Sequence, residues 1–231
     1  MKIGGIEKLS LIDYPEKISC VVFLVGCNFR CPFCYNSELV LPEKIKNHPL
    51  FSEKDFFSFL NERKDFLEGV VITGGEPTIH KDLKDFLRKI KELGFSVKLD
   101  TNGSHPEVLK AVLKENLIDY LALDIKAPPE KYYYFTGNKF QKDKIDESLK
   151  ILKNSKIDFE CRTTVLPHFS EEDLIKIARW ISPFCSKYFL QNFQPQKTLD
   201  PLFEKLSPHP LDFLINVQKK ISSLFEICQV R

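Results

Sequence analysis

Three cysteines stand at 27, 31 and 34 in the segment VGCNFRCPFCYN. Thiolates so closely spaced favour zinc or an iron-sulfur cluster. A structural zinc site is closed by four ligands, usually from two CxxC-like pairs, and the chain has no second pair. A four-iron cluster held by three cysteines leaves one iron without a protein ligand. That position can accept a small molecule through an amine and a carboxylate. The absent fourth thiolate then marks the reactive iron.

Such a site needs elements that bring distant groups together. Apolar runs with strand character occur at 18–26, 69–73, 95–99, 119–123, 158–166 and 187–193. Helical patterns lie between them: SEKDFFSFLNER with Ser52 as N-cap, KDLKDFLRKIKEL closed by Gly94, HPEVLKAVLKEN, KIDESLKILKNS and SEEDLIKIARWI. HPLDFLINVQKKISSLF closes the chain as an amphipathic tail. Strand followed by helix, repeated, predicts a parallel α/β sheet with right-handed crossovers, and six strands suit a partial barrel or an open sheet. No repeat, low-complexity tract or glycine- and serine-rich linker divides the sequence, so a single domain over 1–231 is expected. The polar motifs fall at strand ends. GCNFRC follows the first strand, GGEP (74–77) the second, DTNG (100–103) the third and DIK (124–126) the fourth, while Arg162 and Gln194 lie in or just after the fifth and sixth. In parallel α/β folds these carboxyl ends build the active site.

Composition sets outer bounds. At 231 residues and 43% hydrophobic the chain can bury a full core, and 34 basic against 32 acidic residues predict no electrostatic grip on nucleic acid or an anionic membrane. The N-terminal stretch has no apolar run of signal-peptide length, and no later stretch approaches the ~20 apolar residues of a membrane span. A cytoplasmic location is expected. Seven cysteines in such a chain read as reduced thiols and ligands. Cys20, Cys161, Cys185 and Cys228 are expected to be small buried hydrophobes. The histidines at 48, 80, 105, 168 and 209 show no ligand spacing and read as surface or capping residues, and the aromatic run 132–135 reads as packing.

CxxxCxxC with Phe33 before its last cysteine, followed by GGEP after the next strand, resembles the radical S-adenosylmethionine superfamily. The resemblance runs from SLIDYP (10–15) to QNFQP (191–195). GGIEKLSLIDYPEKISCVVFLVGCNFRCPFCYN, LDTNG, LDIKAP and RTTVLP are more closely similar to activating enzymes of the anaerobic ribonucleoside-triphosphate reductase type. The resemblance implies a partial (β/α)6 TIM-like barrel of the radical SAM type. It also implies a 4Fe-4S cluster reduced by a flavodoxin or ferredoxin, and cleavage of S-adenosylmethionine to methionine and a 5'-deoxyadenosyl radical. In an activating enzyme that radical takes a hydrogen from a backbone glycine of a partner enzyme.

By the same resemblance Cys27, Cys31 and Cys34 ligate the cluster and Phe33 lies near the adenine. Gly74 and Gly75 permit close backbone approach, Pro77 stiffens the turn and Glu76 holds the methionine ammonium. Asp124 and Lys126 project to one side of an extended strand. They match cofactor contacts in related activases, and they also suit a structural ion pair. Arg162 suits the methionine carboxylate, and Gln194 stands where some relatives carry a histidine near the ribose. Asp100 beside Asp124 calls for a compensating cation, and some relatives hold a monovalent cation there. Two departures stand out: Tyr35 where many activases have histidine, and Glu16 where glycine is common. Two other functions fit the residues: a radical enzyme acting on a small molecule, such as a deazapurine synthase, and a non-enzymatic metal-binding protein. Without a motif for a second substrate, the activase, with a glycyl radical enzyme as partner, is the expected function.

Overall fold

The computed structural model describes residues 1–137 and 142–231. Among the described residues there are eight strands: β1 (Ile3–Ser10), β2 (Ser19–Leu24), β3 (Gly69–Gly74), β4 (Ser96–Thr101), β5 (Tyr120–Asp124), β6 (Asp158–Val165), β7 (Lys187–Asn192) and β8 (Ile227–Val230). The six strands expected from the apolar runs are β2 to β7. Two more, β1 and β8, lacked the signal that marked the others. β1 contains Gly4 and Gly5 and exposes Glu7, Lys8 and Leu9 in succession, so it does not alternate. β8 has only four residues, fewer than most strands.

By contacts the chain forms two compact units. The first comprises Met1–Asn28, Asn36–Thr101 and Glu107–Leu121. Within it β1 pairs antiparallel with β2, and β2, β3 and β4 run parallel, with Val22, Ile72 and Leu99 in register. All three of those side chains are fully buried, as strands covered on both faces require. The helices here are α1 (Ser37–Val40), α2 (Pro42–Ile45), α3 (Glu53–Glu62), α4 (Leu83–Glu92) and α5 (Pro106–Lys114, from its second residue). Ser52 caps α3 as the sequence indicated: its hydroxyl oxygen accepts the Asp55 N–H at 3.0 Å. α4 buries Leu83, Phe86, Leu87 and Ile90, the spacing of one helical face, and Phe86 meets Phe56 of α3 at 5.5 Å between ring centres. Gly94 ends that segment at φ +91°, a conformation glycine adopts without steric cost.

The second unit comprises Phe29–Tyr35, Asn102–Pro106 and Ala122–Arg231. β6, β7 and β8 run parallel, with Cys161, Tyr188 and Cys228 in register, and the Ile125 N–H donates to the Arg162 carbonyl at 2.8 Å. Its helices are α6 (Tyr132–Thr136), α7 (Lys142–Lys153), α8 (Glu171–Ile181) and α9 (Leu211–Ile221). α8 starts with a reciprocal cap between Ser170 and Asp173 and buries Leu174, Ile177, Ala178 and Ile181. Each of the leucine and isoleucine side chains contributes about 1.5–3 kcal/mol by leaving water. The expected amphipathic tail is α9, which buries Leu214, Val217 and Ile221 and leads into β8. In the aromatic run Tyr132 and Phe135 are buried while Tyr133 and Tyr134 are exposed, so it packs on one side only.

Candidate functional site

In the first unit the loops after β2 and β3 lie against each other. The Gly75 N–H donates to the Leu24 carbonyl and the Glu76 N–H to the Gly26 carbonyl, both at 2.8 Å. A Cβ on Gly75 would sit 1.8 Å from the Gly26 oxygen, and one on Gly74, at φ +113°, 2.2 Å from the Leu24 nitrogen. Both glycines are therefore demanded by loop-on-loop packing, whatever else approaches them. The Asn36 amide donates to the Gly74 carbonyl at 3.1 Å, tying the residues just after the cysteine motif to GGEP. Cys27, in the same unit, is half-buried.

Glu76 is 1% exposed. Its Oε1 accepts the Thr78 N–H at 3.0 Å, the Thr78 hydroxyl, and the Thr101 hydroxyl at 2.6 Å. Pro77 opens the short 3-10 turn that Glu76 caps, so the carboxylate is held in one orientation by its own turn and by β4. On the opposite side of β4 from Thr101, the Lys98 ammonium donates to Asp100 Oδ1 at 2.5 Å, and both groups are buried. Lys98 escaped the sequence reading, although it stands two residues from Asp100 just as Lys126 stands two from Asp124. Thr101 and Asn36 carried no signal of their own.

In the second unit the Cys34 N–H turns back onto the Cys31 carbonyl at 3.0 Å. The Arg30 N–H to the Thr136 carbonyl (2.6 Å) and the Asp200 N–H to the Pro32 carbonyl (2.9 Å) anchor this segment on both sides. Phe33 is buried and packs on Phe203 at 6.4 Å. Tyr35 stacks on Phe193 at 6.3 Å, and its hydroxyl oxygen accepts the Gln194 N–H at 2.8 Å. Gln194 is exposed.

Asp124 is gripped by two cations: Arg162 Nε donates to one carboxylate oxygen at 2.9 Å and Lys126 Nζ to the other at 3.0 Å. Burial pushes this carboxyl upward, but the charges of Arg162 and Lys126 outweigh it and hold Asp124 well below the usual carboxylate range. Burial likewise opposes the Lys126 ammonium, and it is overcome by Asp124 and by the sulfurs of Cys31 and Cys34, leaving Lys126 raised above an ordinary lysine. The structural ion pair weighed from sequence is present, enlarged to a triad by Arg162. An ammonium beside two thiols favours the thiolate form that a metal ligand must take. This donor set fits an iron-sulfur cluster. Cys20, Cys161, Cys185 and Cys228 are all buried, as expected.

The family model for the radical SAM superfamily matches residues 21–181, and the chain belongs to that superfamily. It is therefore an enzyme of a class that implies a 4Fe-4S cluster and S-adenosylmethionine. Among its relatives, a protein of Methanocaldococcus jannaschii named as a candidate glycyl-radical enzyme activating enzyme is 39% identical over 96% of this chain and 92% of its own length. The pyruvate formate-lyase-activating enzyme of Listeria monocytogenes is 30% identical over 58% of this chain and 57% of its own. Of solved structures, a radical SAM methyltransferase from Sphaerobacter thermophilus matches with a TM-score of 0.75 and 13% identity, over 96% of this chain and 68% of the other. That likeness concerns the fold, which is the α/β partial barrel of radical SAM proteins.

Proposed function

We propose that this protein activates a glycyl radical enzyme, the anaerobic ribonucleoside-triphosphate reductase, acting as one domain over residues 1–231 in the cytoplasm with a flavodoxin or ferredoxin as electron donor. The observation that carries the reading is end-to-end similarity to a protein named as a glycyl-radical enzyme activating enzyme. The motifs SLIDYPEK, LDTNG, LDIKAP and RTTVLP narrow it to the reductase partner. Cys27, Cys31 and Cys34 hold the cluster. When bound, the cluster and S-adenosylmethionine supply a 5'-deoxyadenosyl radical able to abstract hydrogen.

The chain's own residues bind and orient. Glu76, fixed by Thr78 and Thr101, presents an oriented carboxylate to the methionine ammonium. Arg162 and Lys126 bring two positive charges to one Asp124, so the triad carries a net positive charge suited to the methionine carboxylate. Gly74 and Gly75 set the path of the loop bearing Glu76, Phe33 flanks the adenine, and Gln194 stands at the ribose end. Asp100 is neutralised by the Lys98 ammonium and Asp124 by Arg162 and Lys126. Protein cations thus meet the need for which a monovalent cation was invoked, and the reading requires none.

The test is anaerobic mixing of the reconstituted protein, S-adenosylmethionine and reductant with the reductase. A glycyl radical signal in the electron paramagnetic resonance spectrum is expected. Its absence with the reductase, alongside its appearance with another glycyl radical enzyme, would reassign the partner.

A further inference from the structure

The ladder of β6, β7 and β8 ends in an open edge. β8 bonds to β7 on one side: the Ile227 N–H donates to the Ser186 carbonyl at 3.1 Å, the Arg231 N–H to the Leu190 carbonyl at 2.8 Å, and the Arg231 carbonyl accepts the Asn192 N–H at 3.2 Å. In a parallel ladder alternate residues of a strand serve one neighbour, so Ile227, Gln229 and Arg231 direct their backbone groups to β7, and Cys228 and Val230 direct theirs the other way. One of these outward groups is taken, because the Cys228 carbonyl accepts the Gln218 side-chain amide of α9 at 2.8 Å. The Cys228 N–H and the Val230 N–H and carbonyl have no partner among the described residues. Natural edges are often blunted by lysine or proline, and β8 contains neither. Ile227 and Gln229 are exposed beside this edge. The same strands lead to the cofactor residues: Arg162 of β6, Phe189 of β7 and Gln229 of β8 stand in register, and Arg162 grips Asp124.

We propose that the open edge of β8 is a docking strand for the glycine-bearing segment of the enzyme that this protein activates, which adds to the ladder in extended form through its own backbone. This role rests on the activase reading and says how the substrate of that reading is held. A glycine offers no side chain to grip, so the chain around it must be held through backbone groups, and an unpaired strand edge does that. The Gln218 amide on the Cys228 carbonyl already stands where one peptide N–H would. The same contact disfavours a second copy of this chain as the occupant. A twofold antiparallel pairing of both outward residues is centred on Gln229 and needs each Val230 N–H to reach the Cys228 carbonyl of the other copy, which Gln218 holds. A segment of the activated enzyme uses the three remaining groups, accepting from the Cys228 and Val230 N–H and donating to the Val230 carbonyl. It lies three strand spacings from β6, about 14 Å, so the docked stretch flanks the glycine and steers it.

The experiment uses the full-length protein and a synthetic peptide spanning the radical glycine of the reductase, or of whichever glycyl radical enzyme gives the radical signal with this protein. Amide hydrogen exchange is read residue by residue with and without the peptide. The Cys228 and Val230 amides should exchange fast in the free protein and slow about tenfold with peptide at about ten times its dissociation constant, with the Ile227 and Arg231 amides, already bonded to β7, as the reference. Val230→Pro removes an outward N–H that the fold does not use, at an edge position where proline is tolerated. Its urea midpoint should stay near that of the natural protein while peptide affinity, by fluorescence anisotropy, falls about tenfold. Peptide binding that leaves both amides fast would overturn the proposal, as would undiminished affinity in folded Val230→Pro or no binding of the peptide at all. Protection of both amides without peptide, in a protein that sediments as a dimer, would assign the edge to a second copy instead. Exchange in the unsubstituted protein decides even where the variant does not fold. A radical formed on the intact enzyme while both amides stay unprotected removes the docking strand and leaves the activase reading standing; if no glycyl radical enzyme gives a signal, both fall.

Discussion

The seven cysteines occupy two kinds of place. Cys27, Cys31 and Cys34 follow β2 in a loop, where Cys27 and Cys34 are partly exposed and the Lys126 charge lies beside Cys31 and Cys34. Cys20, Cys161 and Cys228 are built into strands and Cys185 precedes one, all buried. Burial lifts the Cys20 thiol to about 12 and the Cys228 thiol to about 11. Availability of the thiolate, set by surroundings, separates a ligand from a small apolar side chain.

The sharpest way to break that contrast is substitution. Cys27→Ala, Cys31→Ala and Cys34→Ala should each abolish or severely weaken the iron-sulfur absorption after anaerobic reconstitution, since on the proposed assignment each thiolate anchors one iron. Cys20→Ala and Cys228→Ala should retain full iron content. A cluster that survives loss of Cys31 but not of Cys228 would invert the assignment.

A smaller effect is expected for the residues proposed to hold the cofactor and not the metal. Glu76→Gln and Arg162→Ala should weaken S-adenosylmethionine binding by roughly 10- to 100-fold, the loss of one charge-assisted hydrogen bond, while the cluster spectrum stays unchanged. Calorimetric titration measures this, and undiminished affinity in both variants would remove them from the site.

How far this was readable in advance depended on the kind of signal. β2 to β7 showed because buried parallel strands are continuous apolar runs, and the cysteine trio and GGEP showed because they are compact in sequence. β1 was hidden by its glycines and its exposed Glu7, Lys8 and Leu9. Lys98 was hidden because a lysine in a strand reads as solvated, and only the structure places its ammonium on buried Asp100. The reason for Gly75 was also out of reach, because it lies in the Gly26 carbonyl, 49 residues earlier in the chain. Glu16, noted only as a departure from glycine, sits at φ +62°, which explains why glycine suits that position.

The Asp124 triad predicts a pH signature. Its folded pKa is depressed, so its stabilisation is fully present above the unfolded carboxylate value of about 3.9 and is lost as pH falls below it toward the folded value. The difference in urea midpoint between the natural protein and Asp124→Asn should be full at pH 7 and shrink below about pH 4. A difference independent of pH would remove the ion-pair account. The smallest effect is expected at Glu16→Gly. Relief of a left-handed backbone worth about 1–2 kcal/mol is partly offset by glycine's greater unfolded-state entropy, leaving a gain below about 1 kcal/mol in denaturant unfolding. A loss of stability there would show that the Glu16 side chain contributes more than its backbone costs.

The central claim is that the hydrogen taken by this enzyme comes from a protein backbone. Deuterium placed on the radical-bearing glycine of the reductase is followed by mass spectrometry into 5'-deoxyadenosine after anaerobic reaction with S-adenosylmethionine and reductant. The account predicts transfer of that deuterium, with one glycyl radical formed per cofactor consumed. No transfer, together with many turnovers driven by a nucleotide-like small molecule without any partner protein, would contradict it.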